Sequence, residues 1–444
     1  MRFTGFALTA FSLLGSLYVT AGERPNLVII VSDDMGWNDV GYHGGVAETP
    51  HIDSLARDGI ELDRFYVHPI CTPTRAALMT GRLPVRFGLT GPLGSPADKG
   101  IPADERLLPE IFRAEGYETA IVGKWHLGDG EGHHPLDRGF DHFYGHLSGM
   151  IDYFEHTHRG QLDWQRNRIP LEEAGYATDL IAAEAERVIE KRDSSRPLFL
   201  YVPFNAPHGP HQAPKTLIEK YSELGIRGEL AVRAACIDSL DRGIGRILES
   251  LERSGLTENT LVLFFCDNGA KASRKRPPDQ ELGLPLRGGK GELFEGGIRV
   301  PAVLRWPYQF PEGRKSEAFI SVLDLLPTLS SAVGVALETE KPLDGINRWT
   351  ALTGDGDVDA PIIVAGGRGS IAVIVDPLKL IRNGEGEGLY DVRSDPIEEY
   401  DLSEERSAAF SRMQALLEPY SDLGSRRGKG SGKRKKGKGK SESR

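Results

Sequence analysis

An α/β architecture, with a large mixed and mostly parallel sheet sandwiched by helices, is predicted by three features of the sequence. Short apolar runs recur along the chain: NLVIIVS at 26–32, TAIVG at 119–123, PLFLYVPF at 197–204, TLVLFFCDN at 260–268 and VPAVLRWP at 300–307. Their length and lack of alternation suit strands buried on both faces. Helical patterns separate them over roughly 330 residues, the rhythm of crossover-connected sheets. Polar residues gather where the runs stop, the edge at which open α/β sheets place their sites.

Helical periodicity predicts segments at 52–58, 74–80, 107–114, 177–191, 230–254 and 321–331. From about 361 the pattern changes to IIVAGG, IAVIVDPLKLI and GLYDV, short strands separated by turn signals, followed by a helix over 403–418 that Pro419 ends. This predicts a small C-terminal α+β domain over 356–422, after a main domain over 24–355.

The two ends read differently from the body. Arg2, the apolar run Phe6 to Val19 and the small residues Val19-Thr20-Ala21 form a signal-peptide pattern over 1–21, so the protein is expected to be exported, periplasmic or secreted. No later run approaches the roughly 20 apolar residues of a membrane span. The stretch 425–444 carries ten Lys/Arg against one Glu, so a chain of net charge −10 has a body of about −19 and a tail of +9. Without apolar residues such a tract cannot bury enough surface to fold, which predicts a disordered basic tail. In an exported protein its expected partner is an anionic polysaccharide or surface, with no nucleic acid.

Three cysteines allow at most one disulfide and leave an odd thiol to explain. Cys236 falls in a helical pattern and Cys266 in an apolar strand, where packing accounts for them. Cys71 opens CTPTRAALMTGR. As an N-cap it would leave Pro73 in the first turn, where a missing N–H costs little, and Arg75 one turn on. Helix N–H groups and a guanidinium would then form an anion cradle, although a buried cysteine opening a core helix is the competing reading.

Asp33-Asp34 and Asp267-Asn268 close two of the apolar runs. Carboxylates and an amide oxygen, with no thiolate or paired-histidine motif, suit a hard cation such as Ca²⁺ or Mg²⁺ rather than Zn²⁺, although both motifs are also common turn formers. Lys124 and His126 follow TAIVG and, in an extended segment, project to one face with Trp125 on the other. His208 follows PLFLYVPF, and Lys290 lies in the glycine-rich PLRGGKGELFEGG. Such lysines and histidines can bind an oxyanion and exchange protons with it.

Together VSDDMGWNDVG, CTPTRAALMTGR, GYETAIVGKWHLG, RGFDHFYGHLSG, APHGPH, CDNGA, PLRGGKGELFEGGIRVP and LYDVRSDPIEEYDL resemble the formylglycine-dependent sulfatases of the alkaline phosphatase superfamily, most closely the arylsulfatase B (N-acetylgalactosamine-4-sulfatase) type, from about Arg24 to Leu417. Thr74 stands where that motif more often has serine and keeps the hydroxyl. The resemblance implies an alkaline phosphatase-like fold and hydrolysis of sulfate esters of a sulfated carbohydrate. It also implies that a formylglycine-generating enzyme oxidises Cys71 to Cα-formylglycine, whose hydrate is the nucleophile. One Ca²⁺ would be held by Asp33, Asp34, Asp267, Asn268 and the modified Cys71. Lys124 and Lys290 would neutralise the sulfate, His208 would protonate the leaving oxygen, His126 would take a proton from the second hydroxyl, and Arg75 would hold the nucleophile's surroundings. A phosphonate or phosphate diester hydrolase using the same aldehyde is the alternative, and an inactive carbohydrate-binding relative a more distant one.

Overall fold

The computed structural model describes residues 24–94, 99–271, 286–354 and 360–420. The signal-peptide pattern, the basic tail and the expected boundary near 355 lie outside them. Twelve strands precede the C-terminal region: β1 (Asn26–Ser32), β2 (Ile60–Tyr66), β3 (Glu118–Lys124), β4 (His142–His146), β5 (Thr157–His158), β6 (Gln161–Leu162), β7 (Gln165–Arg166), β8 (Ile169–Pro170), β9 (Leu198–Pro203), β10 (Thr260–Cys266), β11 (Ala302–Arg305) and β12 (Arg314–Ser321). Ten of these form one sheet in the order β12-β2-β11-β10-β1-β9-β3-β4-β7-β8, and β5 pairs only with β6.

The central strands β10, β1, β9, β3 and β4 run parallel. The outer pairings β10–β11, β11–β2, β4–β7 and β7–β8 are antiparallel, so the sheet is mixed but parallel where it matters for the site. Every residue of β1, β9 and β10 is buried, which is why these runs lack a polar alternation. The flanking helices are α1 (Pro50–Asp58), α2 (Cys71–Thr80), α3 (Leu108–Ala114), α4 (Ala177–Lys191), α5 (Lys215–Glu223), α6 (Glu229–Arg253), α7 (Glu295–Ile298), α8 (Leu325–Ala332) and α9 (Trp349–Thr353). Seven of them fall into two groups, one built on α6 with α1, α4 and α5, the other on α2 with α3 and α8.

The predicted strands all form, and VPAVLRWP becomes the antiparallel β11. Five strands of the main sheet have no counterpart among the predicted runs: the two-residue β7 and β8, and also β2, β4 and β12. β2 reads IELDRFY, and its charges hid it; Asp63 and Arg64 are nonetheless buried, because they pair at 2.9 Å and Arg299 also reaches Asp63 at 3.0 Å. β4 is short and polar at both ends, and β12 is largely exposed over its first half.

Beyond residue 360, β13 (Ile362–Ala365), β14 (Ile371–Val375), β15 (Leu378–Asn383) and β16 (Gly386–Asp391) form an antiparallel meander on which α10 (Ser407–Leu417) packs. This small sheet is fastened to the main body. Ile362, Val364, Ala372 and Ile374 share an apolar cluster with Tyr66, Ile298 and Phe319. The fully buried Lys379 of β15 contacts Glu295 and Glu398, each at 2.8 Å.

Candidate active site

In the parallel sheet Ser32 of β1 lies beside Cys266 of β10, and Val31 beside Pro203 of β9. The residues after each strand therefore emerge at one edge. The ladder continues one step further, as Asp267 N–H donates to Ser32 O at 3.1 Å and Asp33 N–H to Ala206 O at 3.0 Å. Asp34 then turns into the left-handed region at φ 68°. For a non-glycine residue this costs about 1–2 kcal/mol, so surrounding contacts must hold it there.

The carboxylates meet fixed cations. Lys124 Nζ, fully buried at the end of β3, donates to Asp33 Oδ2 at 2.5 Å. Lys290 Nζ donates to Asp34 Oδ1, which also accepts from Asn268 Nδ2 at 2.8 Å. Arg75 Nε and Nη2 both donate to Asp267 Oδ2, at 3.0 and 2.7 Å, and Nη1 donates to Lys124 O at 3.1 Å. His208 Nε2 stands 3.6 Å from Asp34 Oδ2 while its Nδ1 donates to Gly209 O at 2.6 Å.

Burial and neighbouring charges compete at several positions here. Burial would raise the Asp33 carboxyl, but Lys124, His208, Arg75 and Lys290 outweigh it and hold Asp33 well below the usual carboxylate range. Burial would lower Lys290, yet Asp34 above all keeps it charged. Asp267 is pushed up to about 6 by burial and by Asp33, against the pull of Arg75. The Cys71 thiol is raised by burial although Lys124 and Lys290 oppose it, so an unmodified cysteine there would be a protonated, weak nucleophile.

Cys71 is the first residue of α2, with Ile70 as N-cap, one residue later in the helix than the expected capping position; Pro73 still falls in the first turn. The anion-cradle reading of Arg75 is corrected more substantially. Its guanidinium is 1% exposed and engages Asp267 through two N–H groups and the Lys124 carbonyl through a third, so it orders the site instead of receiving an anion. Thr72 Oγ1 donates to His126 O at 3.1 Å and Thr74 Oγ1 to His68 O at 3.0 Å, so the helix start is tied to the segments after β3 and β2 respectively.

The expected shared face of Lys124 and His126 arises differently. β3 ends at Lys124, and His126 sits in a left-handed turn at φ 58°, so strand alternation does not place it. Its Nε2 contacts Leu93 O at 3.0 Å, which fixes the proton on Nε2 and leaves Nδ1, buried and without a partner, as an acceptor. Burial and Lys124 keep this ring neutral by holding its pKa well below the ordinary value.

All ten residues singled out in the sequence thus converge. Sequence reasoning passed over Asn205, whose two buried amide atoms lack partners, and His146, which lies beside Lys124 in the β3–β4 register with Nε2 unpartnered. Both follow the same signal, a polar residue at a strand mouth. Arg233 of α6 was also missed, because nothing in a helical pattern marks a residue that reaches the sheet edge.

The donor set fits a hard dication. Asp33 Oδ1 and Asn268 Oδ1 are buried oxygens without partners, the kind of group that costs free energy unless something is bound. Side-chain oxygens of Asp33 and Asp34 also lie within 4.8 Å of one another and of a His208 nitrogen. Three carboxylates face three basic side chains here, so an added dication would leave a positive field suited to an anionic ester.

Comparison with known proteins agrees with this arrangement. The family described as Sulfatase matches residues 25–335. N-acetylgalactosamine-6-sulfatase of Canis lupus familiaris is 34% identical over 395 residues, covering 84% of this chain and 74% of that protein. Arylsulfatase J of Mus musculus is 34% identical over 345 residues, covering 75% of this chain, which spans only 57% of that relative's length. The crystal structure of Ps i-CgsB in complex with k-i-k-neocarrahexaose superposes with a TM-score of 0.83 at 32% identity, covering 90% of this chain and 93% of that one. These matches bear out the family and its fold and leave the 4-sulfatase type as an expectation from the sequence alone.

Proposed function

This chain belongs to the sulfatase family, a family of sulfuric ester hydrolases, and from that premise we propose that it hydrolyses sulfate esters of a sulfated polysaccharide fragment at the strand-mouth site. The observation that carries the reading is the pair of partnerless buried oxygens, Asp33 Oδ1 and Asn268 Oδ1, set among lysines that neutralise an anion. The fitting dication is Ca²⁺, held by Asp33, Asp34, Asp267 and Asn268 together with position 71; when bound it supplies a Lewis acid that polarises a sulfate oxygen and acidifies a hydroxyl. Oxidation of Cys71 to formylglycine by a generating enzyme supplies the oxygen nucleophile that the protonated thiol cannot.

The chain's own residues do the rest. Lys124 and Lys290 bind the sulfate oxygens, and their burial strengthens that attraction. His208, oriented through Nδ1 to Gly209 O, presents Nε2 to the leaving sugar oxygen and donates a proton there. His126, neutral and with Nδ1 free, accepts a proton on the nucleophile side. Arg75 fixes Asp267 and the Lys124 backbone. Relatives named for N-acetylgalactosamine 6-sulfate, and one solved with a neocarrahexaose, support carbohydrate as the substrate class.

Export through residues 1–21 would bring the enzyme to such polymers, and the basic tail at 425–444 would hold it on their anionic surface. The test is parallel turnover of an aryl sulfate, an aryl phosphonate and an aryl phosphodiester, followed by product analysis on sulfated glycosaminoglycan and neocarra-oligosaccharides. Sulfate turnover at or above the phosphorus esters, with desulfated sugars appearing, is expected; faster phosphonate or diester turnover would replace this reading with the alternative chemistry.

A further inference from the structure

Asp34 is the busiest residue of the site. One carboxylate oxygen accepts from Lys290 and Asn268, the other faces His208, and the backbone is held in the left-handed region. The strand behind it cannot impose this conformation, since β1 ends at Ser32. The restraint comes from α6. Arg233 is 7% exposed, and its Nη2 donates to Asp34 O at 3.1 Å. The same guanidinium grips both oxygens of Asp39, with Nη1 donating to Oδ1 at 2.8 Å and Nη2 to Oδ2. Asp39 Oδ2 in turn accepts from Gly36 N–H at 2.5 Å.

Arg233 therefore closes the turn 34–39 from both ends. It holds the carbonyl of the first residue and, through Asp39, the backbone N–H of the third. The rest of the turn is pinned as well: Met35 N–H reaches Cys266 Sγ at 2.9 Å, and Trp37 lies between His43, stacked at 3.6 Å, and the Arg299 guanidinium at 5.0 Å. Met35 N–H and Asp34 C=O belong to one planar peptide, so Cys266 on one side and the Arg233 guanidinium on the other fix its direction, and with it the angle from which the Asp34 side chain leaves. A fork is required, because a single ammonium cannot serve Asp39 bidentately and Asp34 O together.

We propose that Arg233, braced by Asp39, is a positioning residue for the metal centre: it sets the Asp34 carboxylate in a ligating orientation from a helix that supplies none of the proposed ligands. The inference rests on the calcium reading above. Supporting groups of this kind typically change metal affinity by roughly 10- to 100-fold.

The test is calorimetric titration of Ca²⁺ into chelator-stripped protein carrying Arg233→Lys, and into a double variant, Arg233→Met with Asp39→Asn, which leaves no unpaired buried charge. Circular dichroism and the melting temperature of the metal-free protein confirm folding. Both folded variants are expected to bind Ca²⁺ at least roughly 10-fold more weakly than wild type, the double variant more so, a loss that a merely structural role would not produce. A smaller loss in either folded variant overturns the proposal. If wild type itself binds no Ca²⁺, the metal reading fails and this inference with it; if wild type binds and the variants bind as well, only the role of Arg233 fails.

Discussion

Asn268 Nδ2 donates to Asp34 Oδ1 at 2.8 Å across the junction of two neighbouring parallel strands, and the Asn268 amide oxygen is left buried without a partner. The pair fixes which end of the amide turns to Asp34 and which is left to accept. Replacing Asn268 by Asp would put a fourth carboxylate against Asp34. Asn268→Ala removes one proposed oxygen ligand and one hydrogen bond and is expected to weaken Ca²⁺ binding by about 10-fold or more. Calcium-dependent change in melting temperature reads this directly; an unaltered shift would remove Asn268 from the ligand set.

Position 71 gives the sharpest chemical test. Cys71→Ala and Cys71→Ser, produced where only a cysteine-specific maturation enzyme operates, are expected to be inactive. Active wild type should show a mass loss of about 18 Da on the peptide containing residue 71, the difference between thiol and aldehyde. Full activity in Cys71→Ser would mean that the aldehyde is not needed.

The acid role proposed for His208 predicts a dependence on the leaving group. His208→Ala should lower kcat on a sugar sulfate by about 10²–10⁴-fold. Esters of acidic phenols, which depart without a proton, should suffer far less. Equal losses on both substrates would assign His208 to binding.

Gly149 packs so close to His126 that an added Cβ would lie 2.5 Å from its Cε1 and Nε2. Backbone conformation is not the obstacle there, so Gly149→Ala should fold while displacing the ring. The expected signature is a lower kcat with little change in KM. Unchanged kcat would argue that Nδ1 of His126 moves no proton.

His68 links the α2 start to the C-terminal sheet, accepting from Ala365 N–H through Nδ1 at 3.1 Å, and burial lowers its pKa from 6.5 to about 4. The folded ring stays neutral at pH values where the unfolded one is protonated. The unfolded state then binds more protons, and stability contributed by this site falls as pH drops from about 6.5 towards 4. At pH 5 the loss is on the order of 2 kcal/mol. Melting temperatures of wild type and His68→Gln across that window should converge at low pH; parallel curves would show that His68 does not titrate this way.

How much of this was legible beforehand depends on where the information lies. Buried parallel strands announce themselves because both faces are apolar, so β1, β9 and β10 and the polar residues after them were readable as sites. β2 was not, because Asp63 and Arg64 are compensated only by tertiary ion pairs that no local pattern reveals. The Lys124–His126 geometry depends on a left-handed turn at His126, a conformation without a sequence signature when glycine is absent. Arg75 read as an anion binder because its partner Asp267 is 192 residues away.

The sheet also acts as a ruler. Neighbouring strands stand about 4.8 Å apart, so carboxylates from β1 and β10, one step apart, can share a single ion with short side chains. β3 lies two steps from β1, on the far side of β9. Roughly 10 Å separate those two mouths, a gap that a long flexible side chain can bridge to reach Asp33 and a short one cannot. The identity of residue 124 is thus set by distance as much as by charge.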